Sequence, residues 1–68
     1  MKRTQRYERR LKEAREDSID VMKIYKAEIE AQRIRMNASK NGFVRQCCQQ
    51  EIDQLKAEQR VIEAEVVG

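Results

Sequence analysis

Histidine, tryptophan and proline are absent from this 68-residue chain, which holds one Phe, two Tyr, two Gly and two Cys. Without His there is no imidazole to act as a general base, or to join Cys47 and Cys48 in a zinc-binding set. The two cysteines are adjacent, and neighbours on a helix point about 100° apart, so they do not bridge each other without strain. Unbridged thiols suit a reducing compartment. No glycine-rich loop is available to cradle a phosphate, and the acidic residues show no metal-ligand spacing. No apolar run reaches the length of a signal-peptide core or a membrane span. The expectation is a cytoplasmic protein with no membrane, metal or cofactor requirement. The same absences weigh against an enzyme.

What remains is helix-forming. Charged residues make up 40% and hydrophobic residues 40% of the chain, a balance typical of long amphipathic helices and too apolar for a disordered tail. With no Pro, and no Gly before Gly42, nothing interrupts a helix over the first half. Ile24, Ala27, Ala31, Ile34 and Ala38 recur at spacings of 3 and 4, which is a heptad seam. Tyr7, Leu11, Ala14, Ser18, Val21, Tyr25 and Ile29 form a second stripe, reaching almost the opposite side of the helix. A helix apolar on two opposed faces must be covered twice. In so short a chain the second cover falls to another copy or to a partner.

The expected fold is all-α: an antiparallel helical hairpin with a long helix over about 5–39, a turn at 40–42 and a second helix over about 43–66. It forms a single domain over 1–68 and self-associates into a helical bundle, most simply as a dimer of two hairpins. Thr4 is the natural N-cap of the first helix. Asp17-Ser18 could cap a helix of its own, but the apolar stripe runs straight through Ser18, favouring one helix of about 35 residues, roughly 50 Å long. Asn41-Gly42 ends it, with Gly42 expected in the left-handed region and Phe43 covering Ala38. The second helix carries Val44, Cys48, Ile52, Leu55, Gln59, Ile62 and Val66 on one side. It is shorter than the first, so residues 1–15 should overhang the hairpin.

That overhang is basic. Residues 1–15 carry a formal charge of +5, against −2 for the remainder. Lys2, Arg3, Arg6, Arg9, Arg10 and Arg15 share the arm with Tyr7, which could stack on a base. Nucleic-acid binding by a hairpin dimer is therefore one reading, although Glu8 and Glu13 interrupt the patch. The plainer reading is a solvated helix end. Cys47 or Cys48, near a helix start and beside Arg45, could be a reactive thiol. Both also lie on or beside apolar stripes, where Cys acts as a small hydrophobe.

One stretch resembles a known family. Ile29, Arg33 and Met36, followed by a Gly-containing turn and then Gln49-Gln50-Glu51-Ile52-Asp53-Gln54-Leu55, are similar to the short helical-hairpin aspartyl-phosphate phosphatases that act on sporulation response regulators. The resemblance covers residues 29–55 and would make Asp53 the residue tied to dephosphorylation. Gln49 stands where that family has Ser, and the interval after Met36 is shorter than the family's.

The function these features favour is a non-enzymatic small regulator or inhibitor, of a class that includes phage-encoded proteins. It would bind itself through Ile24, Ala27, Ala31, Ile34 and Ala38, and another protein through its helical surfaces. Nucleic-acid binding by the basic arm and phosphatase action through Asp53 are the alternatives.

Overall fold

In the computed structural model, described here for residues 2–66, the chain forms three helices: α1 (Gln5–Ala14), α2 (Ser18–Ala38) and α3 (Gly42–Val66). The ends of the expected 1–68 domain, at positions 1, 67 and 68, lie outside the described residues. No strand occurs among the described residues.

The expected single helix over 5–39 is divided at residues 15–17. Thr4 caps α1 as expected, its hydroxyl accepting from the Tyr7 N–H at 3.0 Å. The helix then closes early, with the Glu16 and Asp17 N–H groups both donating to the Glu13 carbonyl, at 3.0 and 2.9 Å. Asp17 starts α2 afresh, its carboxylate accepting from the Asp20 N–H at 3.0 Å and satisfying one of the donors that a helix start leaves orphaned.

Burial explains why the break wins. An unbroken rod of 35 residues would be about 50 Å long and leave Tyr7, Leu11 and Ala14 in water. The folded chain measures 40 × 20 × 18 Å, with Tyr7 and Ala14 buried and Leu11 half-buried. Each fully buried large apolar side chain contributes about 1.5–3 kcal/mol. The break leaves few backbone groups unpaired, because caps replace helical bonds. Residues 2–15 therefore do not overhang. They pack back onto α2 and α3.

The second turn also differs from expectation. Gly42 is the first residue of α3, and no glycine among the described residues has a positive φ. Ser39 leaves α2 in an extended conformation. The Asn41 side chain then caps α3, accepting from the Phe43 N–H at 2.9 Å and the Val44 N–H at 3.3 Å. Arg45 reaches back to the carbonyls of Met36 and Ser39, at 3.0 and 3.2 Å, and satisfies the end of α2. With Gly42 helical, Phe43 points outward and is 74% exposed, so it does not cover Ala38.

The core is the stripe that begins at Tyr7, completed by α3. Tyr7, Ala14, Val21, Tyr25 and Ile29 meet Ile52, Leu55 and Ile62, with Leu11, Met22, Met36, Val61 and Val66 packed around them. Contacts between α2 and α3 pair residues ever further from the turn, from Met36 with Arg45 to Tyr25 with Glu58.

Because Gly42 is helical and an added Cβ would meet nothing within 4 Å, Gly42→Ala should stabilise the protein by roughly 0.5 kcal/mol through the unfolded chain. Urea unfolding followed by circular dichroism reads this. A left-handed Gly42 would give the opposite sign.

Candidate functional site

Two features could carry function: a polar cluster inside the bundle and an apolar face outside it. The cluster centres on Glu58, a fully buried carboxylate at 0% exposure. Charged groups are seldom buried so deeply unless paired, and here every partner is present. Arg6 donates from Nε at 3.0 Å and Nη2 at 2.7 Å. The Tyr25 hydroxyl donates at 2.8 Å and the Gln54 amide at 2.8 Å. Arg6 also donates to Glu51 through Nη1.

A second ion pair lies on the other side of Tyr25. Arg10 forks onto Glu28 with both Nη atoms, one at 2.8 Å, and its guanidinium stands 4.8 Å from the centre of the Tyr25 ring. The cations come from α1, and the anions from α2 and α3. Arg15 adds a looser contact to Glu65 at 3.8 Å.

The electrostatics follow from this arrangement. Burial pushes the Glu58 carboxyl up, but the hydrogen bonds from Arg6, Gln54 and Tyr25 outweigh it, and the group sits below the usual carboxylate value. Arg10 holds Glu28 down in the same way, by hydrogen bonding first and charge second. Burial, and then donation to Glu58, push the Tyr25 hydroxyl well above its ordinary value. The result is a set of satisfied, locked charges. Glu58 itself is wholly enclosed, while Glu51 and Glu28 keep part of their carboxylates in water. No group of three or more His, Cys, Asp or Glu positioned for a metal occurs among the described residues.

The basic-arm residues are thus divided. Arg6, Arg10 and Arg15 face carboxylates. Tyr7 is 1% exposed and turned into the core, so it offers no face to a base. Lys2, Arg3 and Arg9 remain exposed, and the Lys2 carbonyl accepts from Gln54. Asp53 is exposed on α3, its carboxylate accepting from the Gln49 amide at 2.9 Å. Cys47 is exposed and Cys48 buried, both as free thiols.

The outer face of α2 has a different character. Ala27, Ala31, Ile34 and Ala38 are exposed and Ile24 is half-buried. Ile34 is 61% exposed. Neither α1 nor α3 covers this line, because both pack on the side of Val21, Tyr25 and Ile29. No helix among the described residues is long and apolar enough to cross a membrane.

Sequence reasoning missed Glu58. It followed the heptad from Leu55 to Gln59, but Gln59 is only half-buried, and the position three beyond Leu55 is the one fully enclosed. Both spacings, three and four, are helical. The signal that could have found Glu58 was the excess of Arg at the start of α1, which demands anions nearby. Compared with known proteins, the chain matches no family model, no curated protein and no solved structure.

The folded-state values of Glu58 and Glu28 lie below the ordinary 4.5, so their stabilisation is complete above that pH and is lost as pH falls through the depressed values. Thermal melts should be flat near neutrality and decline in acid, and Glu58→Gln should cost about 3 kcal/mol at pH 7 by removing the buried one of the two anions that Arg6 holds. The Tyr7 hydroxyl is buried with no hydrogen-bond partner, so Tyr7→Phe should be neutral or stabilising by about 1 kcal/mol in urea unfolding.

Proposed function

We propose that this protein is a small, non-enzymatic interaction module, a regulator or inhibitor in the broad sense. It is built on an α2–α3 antiparallel hairpin braced by α1. Its outer α2 face binds a second copy, and the resulting bundle engages a protein partner. The observation that carries this reading is the line Ile24, Ala27, Ala31, Ile34 and Ala38, of which the last four stay exposed and Ile24 only half-buried after all three helices have packed.

A 68-residue bundle gains little from holding isoleucine in water, and an exposed apolar line flanked by charges is the usual mark of an interface. The alanines allow two helix backbones to approach closely, and the isoleucines supply the apolar area. The nucleic-acid reading retains Lys2, Arg3 and Arg9 as open cations but has no aromatic platform, since Tyr7 is buried. Phosphatase action would fall to Asp53, which is exposed but has no neighbouring side chain in the cluster around Glu58. Both have less support than self-association.

Sedimentation equilibrium tests the proposal. The wild type should approach twice its 8.1 kDa chain mass as concentration rises. Ile34→Glu should weaken the dimer at least tenfold while circular dichroism keeps its helical signal. A wild type that stays monomeric at high micromolar concentration would overturn the reading.

A further inference from the structure

Resting on the self-association proposed above, the charges beside the seam point to its orientation: we infer that the second copy packs against α2 in parallel and in register. Ile24, Ala31 and Ala38 occupy one set of seam positions, and Ala27 and Ile34 the other. Four charged residues flank the line. Lys23 and Glu30 immediately precede the seam residues Ile24 and Ala31, while Glu28 and Arg35 immediately follow Ala27 and Ile34.

In a parallel pair, a residue preceding the first seam position faces the residue five places on in the other copy. Lys23 then meets Glu28 of the second copy, and Glu30 meets Arg35 of the second copy. Two-fold symmetry repeats each contact, so four opposite-charge contacts flank the seam and no like-charge contact does.

Antiparallel packing matches preceding flanks with preceding flanks and following flanks with following flanks. Glu30 would lie near Glu30 of the second copy, and Glu28 near its own counterpart. Like charges would crowd both sides of the centre in that register, and sliding by one heptad, to set Ala31 opposite Ile34, leaves only the Glu28–Arg35 contacts, half the number of the parallel pair.

The four flanks differ in availability. Lys23, Glu30 and Arg35 are exposed. Glu30 has only an intrahelical contact, from Arg33 at 3.0 Å. Glu28 is already held by Arg10, so the Glu30–Arg35 contacts carry more of the choice. Such exposed pairs select orientation rather than supply affinity, which comes from the isoleucines and alanines. One turn earlier, the same spacing meets Asp17 and Asp20. In a parallel pair those carboxylates repel, confining the contact to Ile24 through Ala38 and splaying the starts of the two α2 helices.

Cysteine cross-linking in the full chain separates the orientations. The native thiols are removed by Cys47→Ser and Cys48→Ala, and Ile24→Cys or Ile34→Cys is added singly. Circular dichroism confirms that each variant is helical. In the parallel arrangement each variant forms a disulfide dimer with itself under mild oxidation. In the antiparallel arrangement neither links alone: the mixture links where position 24 lies opposite position 34, and nothing links in a sedimenting dimer one heptad out of that register. Either result overturns the orientation and leaves self-association standing. Sedimentation as a monomer, with no cross-link in any mixture, overturns both.

A charge reversal gives an independent reading. Glu30→Arg should weaken the parallel dimer several-fold, and adding Arg35→Glu should restore it. No restoration in the double variant would count against the register even if the disulfides form.

Discussion

A single carboxylate that water cannot reach organises this bundle. Glu58 belongs to α3, but the groups that make its burial tolerable come from all three helices: Arg6 from α1, Tyr25 from α2 and Gln54 from its own helix. A buried charge without partners is far more costly than any one apolar contact is favourable. The position of each helix relative to the others is therefore set by the need to bring those donors together. Apolar packing alone would tolerate small slides of α1 along the groove between α2 and α3. The forked contact of Arg6 with Glu58 does not.

Tyr25 links the two halves of this arrangement. Its hydroxyl donates to Glu58, while its ring lies beneath Arg10, which itself grips Glu28. One side chain thus couples two ion pairs whose cations, Arg6 and Arg10, stand one turn apart on the same face of α1. Much of the excess positive charge in the first fifteen residues is used inside the molecule. Among the cations of this segment, the exposed remainder is Lys2 and Arg3 ahead of α1 and Arg9 and Lys12 on it.

The helices and the core stripe were legible in the sequence because apolar spacing and burial are the same fact seen twice: Tyr7, Ala14, Val21, Tyr25 and Ile29 are buried as the periodicity implies. The break at Arg15–Asp17 was not, because a continuous stripe is compatible with one helix or with two folded against a third. The choice depends on what covers Tyr7, which is a long-range question. Gly42 misled for a related reason. Asn-Gly commonly ends a helix, but here the Asn41 side chain begins one, and only the geometry of its hydrogen bonds distinguishes the two. The ionic cluster was hidden because Arg6 and Tyr25 lie 52 and 33 residues from Glu58, the carboxylate they hold. The apolar line from Ile24 to Ala38 shows in the sequence as a spacing, because its residues are local to one helix.

The separation of these contacts along the chain also orders assembly. Arg45 reaches the Met36 carbonyl across 9 residues, whereas Arg6 reaches Glu58 across 52. Closing the longer loop from a disordered chain costs about 1.5 kcal/mol more in entropy. Once α2 and α3 are zipped together, α1 has only a short link left to close. The fold should therefore nucleate at the 39–41 turn and finish by seating α1, which makes the N-terminal helix the last part to arrive and the first to leave.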